Sequence, residues 1–108
     1  MGLYTTFKDK RGQFRFNLKA ANHEIILQSE GYNSPFMRDN GIAAIRLNCT
    51  IDSRYERRIA SNGKSYFVLK AANGEIIGRS ELYGSRRSLE NGIASVKKNG
   101  LTRMLRDE

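Results

Sequence analysis

Residues 18–26, Leu-Lys-Ala-Ala-Asn-His-Glu-Ile-Ile, reappear as residues 69–77, Leu-Lys-Ala-Ala-Asn-Gly-Glu-Ile-Ile. The offset of 51 residues holds without a gap from Gly12/Gly63 to Asn48/Asn99, and 19 of the 37 aligned pairs are identical. Tandem copies of one supersecondary unit can complete each other's hydrophobic core. The duplication therefore predicts the architecture, and it divides the chain into repeat 1, residues 1–51, and repeat 2, residues 52–108.

Size and composition predict one soluble globular domain. The chain has 108 residues, of which 39% are hydrophobic and 28% charged, and half of it would bury too little apolar surface to be stable alone. The apolar stretches span only a few residues, whereas a membrane-spanning helix needs roughly 20. The N-terminus lacks the basic-then-apolar order of a secretory signal. The single cysteine, Cys49, allows no intramolecular disulfide, so we expect a cytoplasmic location.

The charge balance leaves two interpretations open. Nineteen Lys and Arg against eleven Asp and Glu give a net charge of +8, which attracts polyanions through a field that salt weakens. The excess is spread along the chain, with +3 in residues 1–51 and +5 in residues 52–108. No basic tail or long Lys/Arg run singles out nucleic acid. The charge indicates either general solubility or a polyanion-binding surface.

Each repeat predicts a β-hairpin. In repeat 1 the apolar residues Phe14, Phe16, Leu18 and Ala20 alternate with other side chains, the period of a strand with one buried face. In repeat 2, Asn73-Gly74 is the pair that a two-residue type I′ turn favours. Asn22-His23 predicts the same turn, with His23 at positive φ.

The predicted turn assigns residues to the two faces of the sheet, because directly opposed residues point the same way. Leu18 should oppose Leu27, and Ala20 should oppose Ile25, on the core face. Lys19 should oppose Ile26, and Lys70 should oppose Ile77, on the other face, here called the outer face. The candidate partner-binding residues on the outer face are Arg15, Lys19, Ile26, Tyr66, Lys70, Ile77 and Arg79. They are either ordinary surface residues or an interaction surface.

Further elements complete each repeat. Shorter strands are predicted upstream of the hairpins at Leu3–Lys8 and Arg54–Ala60. Ser34-Pro35 pairs a preferred N-cap with a proline at the first helical position, which predicts a helix to about Leu47. Its copy starts near Ser85. The final segment, 101–106, aligns with 50–55 and is predicted to be a closing strand.

Both predicted helices contain a glycine at the same interior position. Gly41 and Gly92 should each cost about 1 kcal/mol relative to alanine. Something must offset this cost. The sequence therefore predicts a close approach of each helix to the sheet or to the other helix.

The motifs together resemble those of a known family. Leu-Lys-Ala-Ala-Asn-(Gly/His)-Glu-Ile-Ile, Ser-Glu-x-Tyr-x-Ser and Asn-Gly-Ile-Ala in tandem are similar to the YegP-like family of small bacterial proteins. The resemblance implies an α+β fold of two β-β-β-α-β repeats, related by a pseudo-twofold axis. They would share one antiparallel sheet, with exchanged terminal strands and two helices packed on one face. It implies that single-repeat relatives reach a similar arrangement as homodimers, and it implies no biochemical activity.

Residues that would carry chemistry are few. A metal site needs several convergent His, Cys, Asp or Glu ligands, and the sequence offers one histidine, His23, on a predicted turn, and Cys49 after a predicted helix. A Cys–His catalytic pair needs the two side chains within hydrogen-bond reach. No glycine-rich phosphate-binding loop occurs. We therefore expect no cofactor, no metal and no enzymatic activity.

Two functional hypotheses remain. The first is a small non-enzymatic cytoplasmic interaction module, a monomer with an internal pseudo-dimer, that holds an unknown protein partner on the outer face. The alternative is binding of single-stranded RNA or DNA, with four basic residues contacting phosphates and Tyr66 stacking on a base. The four are Arg15, Lys19, Lys70 and Arg79.

The shared core predicts that the repeats depend on each other. Residues 1–51 expressed alone should be unfolded or dimeric, because neither repeat buries a sufficient core and the terminal strands exchange. Analytical sedimentation and the dispersion of amide proton resonances measure this. A stable, folded monomer would contradict the prediction.

Overall fold

The computed structural model describes residues 2–108 as one sheet with two helices on one face. The predicted α+β fold class is confirmed. The strands are β1 (Leu3–Lys8), β2 (Phe14–Lys19), β3 (Ile25–Gln28), β4 (Tyr55–Ile59), β5 (Ser65–Lys70), β6 (Ile76–Arg79) and β7 (Leu105–Asp107), and the helices are α1 (Pro35–Asn48) and α2 (Arg86–Asn99). A short 3-10 turn, Asp52–Arg54, connects α1 to β4.

The strand order β4-β5-β6-β3-β2-β1-β7 joins the two repeats at the centre of the sheet. Each repeat forms an antiparallel meander of three strands. The meanders meet where Gln28 of β3 pairs with Arg79 of β6. These two residues are 51 positions apart and hence equivalent, so the pseudo-twofold axis passes between them.

The closing strand differs from the predicted one. β7 begins at Leu105 instead of Leu101 and pairs with β1 in parallel, whereas the sheet was expected to be antiparallel throughout. Repeat 1 has no separate closing strand, because the first strand after α1 is β4, which belongs to repeat 2. β4 lies beside β5, so the strand after α2 would by symmetry lie beside β2, but β1 already occupies that position. β7 therefore lies beside β1 and runs in the same direction, which joins the end of repeat 2 to the start of repeat 1.

The hairpin turns are three-residue loops, so the predicted type I′ turns are wrong. The N–H of His23 donates to the carbonyl of Ala20, and the N–H of Ala20 donates to the carbonyl of Glu24, both at 2.9 Å. This pattern is a type I turn followed by one left-handed residue. His23 has φ +70° and the equivalent Gly74 has φ +88°. The preceding asparagine is not left-handed, as a type I′ turn would require.

A β-bulge after each of these turns exchanges the predicted faces of two isoleucines. Ile25, predicted to oppose Ala20 on the core face, instead opposes Lys19 on the outer face. Lys19 pairs with Ile25 and Leu18 pairs with Leu27, so Ile26 is the extra residue. Ile26 is consequently buried in the core. The same shift between Leu69 and Lys70 buries Ile77. The prediction that these two isoleucines lie on the outer face is therefore wrong, whereas the pairing of Leu18 with Leu27 is confirmed.

Two equivalent tyrosines tie the sheet to the helix ends. Tyr4 of β1 donates its hydroxyl hydrogen to the carbonyl of Gly100 at 2.7 Å, and Tyr55 of β4 donates to the carbonyl of Cys49 at 2.6 Å. Burial raises the pKa of both hydroxyls, which keeps them protonated donors. Cys49 and Gly100 lie next to each other, although four strands separate β1 from β4. Because side chains stand roughly perpendicular to a sheet, the sheet must curl around the helices.

The two helix glycines make room for two tyrosines. A Cβ on Gly41 would lie 2.5 Å from the Tyr32 hydroxyl oxygen, and a Cβ on Gly92 would meet the same atom of Tyr83. Each tyrosine ring also stacks on a core phenylalanine, with centroids 6.4 Å apart for Tyr32 and Phe16. The predicted close approach of helix to sheet is confirmed. The contacting group is an aromatic ring rather than the other helix.

Replacement of Gly41 by alanine should lower the free energy of unfolding. Alanine is the better helix former by about 1 kcal/mol, but the overlap with Tyr32 should outweigh this and leave a net loss of about 1 to 2 kcal/mol. Urea unfolding measures the difference. Gly84→Ala is the matched control, because no atom lies within 4 Å of a Cβ placed there. A Gly41→Ala variant at least as stable as the parent would contradict the prediction.

Candidate interaction face

The structure brings five of the seven candidate residues together on the outer face. Arg15, Lys19, Tyr66 and Lys70 are half-buried and Arg79 is exposed. The other two, Ile26 and Ile77, lie in the core. Ile25 and Ile76 pair with the two lysines, and since opposed residues share a face, these isoleucines take their place.

Three of the four predicted basic residues of this face are matched by carboxylates of the same chain. Arg15 contacts Asp9 at 2.6 Å, and Lys19 approaches Glu108 at 3.9 Å. Lys70 contacts Glu56 at 2.7 Å, and Glu56 also pairs with Arg58. Glu56 is shared by two cations, and Arg106, opposite Thr5 on the same face, forms no ion pair within residues 2–108. The face therefore keeps some excess positive charge, although the predicted cations are mostly paired.

The basic partners lower the pKa of two of these carboxylates. The hydrogen bond from Arg15 lowers the pKa of Asp9, aided by the backbone N–H of Gln13. The hydrogen bonds from Lys70 and Arg58 lower the pKa of Glu56. Both carboxylates are thus ionised at neutral pH. The outer face carries a network of alternating charges rather than a continuous basic track.

Arg79 is the exception, and it lies beside Tyr66. Its guanidinium carbon is 5.4 Å from the centroid of the Tyr66 ring, within the range of a cation–π contact. It forms no ion pair with any residue from 2 to 108. Both side chains line a depression of about 440 Å³, here called the outer-face depression, together with Ile59, Ala60, Ser61, Ser80, Glu81 and Leu82.

Two exposed apolar residues of this depression were not predicted. Ile59 is 76% exposed and Leu82 is 48% exposed. Repeat 1 has Lys8 and Gly31 at the equivalent positions, so a comparison of the repeats at exposed positions could have found them. The depression is therefore a feature of repeat 2 alone.

Two parts of the outer face, on β1 and on β5, are closed by their own side chains. Val68 and Thr5 are fully buried, although no helix covers this face. Neighbouring side chains cover them, and the hydroxyl of Thr5 has no hydrogen-bond partner within residues 2–108. Val68, which pairs with Arg79 and so shares this face, is part of the packing and is not available to a partner.

The remaining reactive side chains do not converge. Cys49 is buried, which raises the pKa of its thiol, while His23 lies exposed at a hairpin tip. Residues 2–108 contain no group of three or more His, Cys, Asp or Glu that could hold a metal ion. No helix in that range is long and apolar enough to cross a bilayer.

Comparison with sequence families identifies the relationship. The model of a family described as "Domain of unknown function (DUF1508)" matches twice, at residues 9–56 and 60–107. The chain belongs to this family. Each match ends where the strand after a helix is expected: the second ends at the last residue of β7, and the first ends inside β4.

The relatives extend over nearly the whole chain. It is 50% identical over 106 residues to UPF0339 protein YegP of Escherichia coli K12 and to a UPF0339 protein of Acinetobacter baylyi, covering 98% of this chain and 96% of each relative. Solution NMR structures of the E. coli protein and of a Shewanella oneidensis UPF0339 protein have TM-scores of 0.94 and 0.92, at 50% and 45% identity. They cover 99% and 98% of this chain, and 92% and 90% of those chains. The resemblance to YegP-like proteins is confirmed, and these relatives are of unknown function.

The charge network predicts weak and nearly sequence-independent contact with nucleic acid. Replacement of Arg15, Lys19, Lys70 and Arg79 together by serine should change the log–log salt slope for single-stranded RNA by about 1 at most, because three of the four cations are already matched. Fluorescence anisotropy at several salt concentrations measures the slope. A slope change of about 3, or a tenfold weakening by Tyr66→Ala, would instead support a phosphate track with base stacking.

Proposed function

We propose that the protein is a small non-enzymatic interaction module that binds a protein partner in the outer-face depression. The observation that supports this most strongly is the arrangement of Arg79 over Tyr66 beside the exposed Leu82 and Ile59. Arginine and tyrosine are enriched among the residues that dominate the energetics of protein interfaces. The surrounding ion pairs would form the polar rim that such an interface has.

The depression favours a partner segment with a carboxylate next to an apolar side chain. Arg79 pairs with no carboxylate within residues 2–108, so a partner's Asp or Glu can accept two hydrogen bonds from its guanidinium. The apolar side chain would then rest against Tyr66 and Leu82. The net charge of +8 would speed the approach of such an acidic surface.

Single-stranded RNA or DNA is the alternative ligand, and the net charge is what supports it. Against it, the ring of Tyr66 is partly covered by Arg79, and the other aromatic ring of this face, Phe7 opposite Arg15, lies four strands away on β1. A stacking platform needs open ring faces.

Location and assembly form part of the same proposal. A cytoplasmic module is consistent with a single cysteine that is buried as a free thiol. A monomer is consistent with the internal pseudo-dimer, because each repeat supplies the strands that cover the other's helix. Under this proposal the chain needs neither a second copy nor a cofactor to present its binding surface.

Selection from a displayed random peptide library tests the proposal with the intact chain. We expect enriched peptides to place Asp or Glu next to Leu, Ile, Phe or Trp. Their affinity, measured by calorimetry, should fall at least about 30-fold in Arg79→Ser and in Tyr66→Ala, the loss typical of residues that dominate an interface.

Arg106→Ser is the matched control, since Arg106 is also an exposed arginine of the outer face with no ion pair in residues 2–108, and it does not line the depression. It should leave the affinity within about twofold of the parent. Enrichment of basic peptides, or peptides that bind Arg79→Ser as tightly as the parent, would overturn the proposal.

A further inference from the structure

The two sides of the sheet end differently, although β1 and β4 are equivalent strands. β1 lies between β2 and β7, whereas β4 pairs only with β5 and is the last strand that residues 2–108 form on its side. Exposure agrees with this difference, since Thr6 of β1 is buried and its equivalent in β4, Arg57, is exposed. The open side of β4, Tyr55–Ile59, is here called the β4 edge.

Equivalent backbone groups of β1 and β4 point away from the meander. The N–H and C=O of successive residues in a strand point alternately to its two sides. In β1, the N–H of Tyr4 donates to the carbonyl of Met104 at 3.0 Å, and the carbonyl of Thr6 accepts from the N–H of Glu108 at 2.7 Å. Arg57 pairs with β5 as Thr6 pairs with β2. The N–H and C=O of Arg57 therefore point away from β5.

The β4 edge presents a row of such backbone groups. They are the C=O of Tyr55, the N–H and C=O of Arg57, and the N–H of Ile59. None of these four groups takes part in a turn, loop or capping hydrogen bond within residues 2–108, whereas the N–H of Tyr55 donates to the carbonyl of Asp52. A row of this kind is a template to which an extended segment can add as a further strand.

β7 shows in which direction a strand adds at this position of the repeat. It runs parallel to β1. The opposed pairs are Tyr4–Leu105, Thr5–Arg106 and Thr6–Asp107. Moved by the 51-residue offset, the same arrangement places a parallel strand beside β4, with its side chains opposite residues 55–57 and, one position further, opposite Arg58.

The charges around the β4 edge select acidic side chains in the added strand. On each face of the sheet the edge has one more cation than carboxylate. The sets are Arg58, Lys70 and Glu56 on the outer face, and Arg57, Arg86 and Glu90 on the helix side. Successive side chains of a strand point to opposite faces. Two consecutive Asp or Glu residues, opposite Arg57 and Arg58, would therefore each meet an excess cation.

Charges on an edge strand also keep unrelated strands from pairing with it. A mixed pattern does this selectively, because like charges directly opposite destabilise a strand pair and opposite charges stabilise it. β7, the last strand on the other side, has three residues, and very short edge strands resist pairing. The β4 edge is therefore the better template of the two.

The chain itself contains a segment with suitable charges, Asp107-Glu108. Its own β1 holds that segment, and the hydroxyl of Thr6 donates to Asp107 at 2.7 Å. A second copy would have to break these bonds to offer the segment to β4. A segment of another protein that is not already paired has no such bonds to break, which favours it as the occupant.

We propose that the β4 edge binds an extended acidic segment of another protein as an added strand. The segment runs parallel to β4 and places two consecutive Asp or Glu residues opposite Arg57 and Arg58. The β4 edge shares only Ile59 with the outer-face depression, and binding there requires neither Arg79 nor Tyr66.

Titration of the isotope-labelled full chain with acetyl-Met-Leu-Arg-Asp-Glu-amide, the sequence of residues 104–108, tests the proposal by NMR. The amide signals of Arg57 and Ile59 should shift, and their protons should exchange more slowly with solvent, because both N–H groups become hydrogen-bonded. The amides of Glu56 and Arg58 face β5 and should change less. Replacement of the peptide's acidic residues by Asn and Gln should weaken binding at least about threefold.

Two N-methylated forms of the peptide distinguish strand addition from general charge attraction. A methyl group on the backbone nitrogen of the peptide's arginine blocks an N–H that faces β4, and it should weaken binding at least about tenfold. A methyl group on the backbone nitrogen of its aspartate lies on the far side of the strand and should change the affinity less than about threefold. Equal effects of the two methyl groups would overturn the proposal.

Variants of the chain identify the strand that binds. Ile59→Pro removes one outward N–H at an edge position, where proline is tolerated, and should weaken binding at least about threefold. Ile59→Ala is the matched control, because it keeps the N–H, and Arg79→Ser checks independence from the outer-face depression. Both should stay within about twofold of the parent. Amide spectra of the variants verify the fold.

Several outcomes would overturn the proposal. They are equal losses in the two Ile59 variants, shifts confined to β1 and β7, and no shift at about 10 mM peptide. Sedimentation of the chain alone tests the remaining occupant. A molecular mass that rises with concentration, and does not rise in Ile59→Pro, would assign the β4 edge to a second copy and also overturn the proposal.

Discussion

Each helix of this protein packs on strands of the other repeat, and the rest of the structure depends on this exchange. α1 contacts β5 and β6 as well as β2, and α2 contacts β2 and β3 as well as β5. The exchange continues at the chain ends, where the hydroxyl of Thr102 donates to the carbonyl of Gly2 at 2.7 Å. Because apolar burial is the main favourable term in folding, a repeat that leaves its helix uncovered loses much of its stabilisation. One core and one cooperative unit follow from this geometry.

Strong local signals in the sequence predicted most elements of the fold. The limits of β1 agree with the predicted strand, and the serine–proline start of α1 is where the N-cap rule places it. The core faces of the strands also follow from the apolar alternation, as the full burial of Leu18 and Leu69 confirms. These features depend on neighbouring residues only. The same pattern 51 residues later supported each prediction independently.

Features that depend on residues far apart in the sequence were not predicted correctly. The bulge that turns Ile26 inward compensates for a three-residue loop, and an Asn-His or Asn-Gly pair is compatible with either loop length. Lys70 pairs with Glu56 of β4, and Lys19 pairs with Glu108, which follows β7, so each pair joins separate segments of the chain. The alternation of apolar and polar residues along one strand does not indicate which residues of other segments form ion pairs with it. For this reason the carboxylate partners of the outer-face cations were not predicted.

The pairs of equivalent residues that meet on the pseudo-twofold axis carry a further consequence. A Cβ on Gly78 would lie 2.6 Å from Leu27, its own counterpart, and one on Gly100 would lie 2.7 Å from Cys49, also its counterpart. In both places one repeat supplies a side chain and the other supplies the space for it. A symmetric pair of identical chains could not do this, since two leucines would collide and two glycines would leave a void. Fusion into one chain allowed the axis residues to become complementary, and each such change makes a return to two separate, identical subunits more costly.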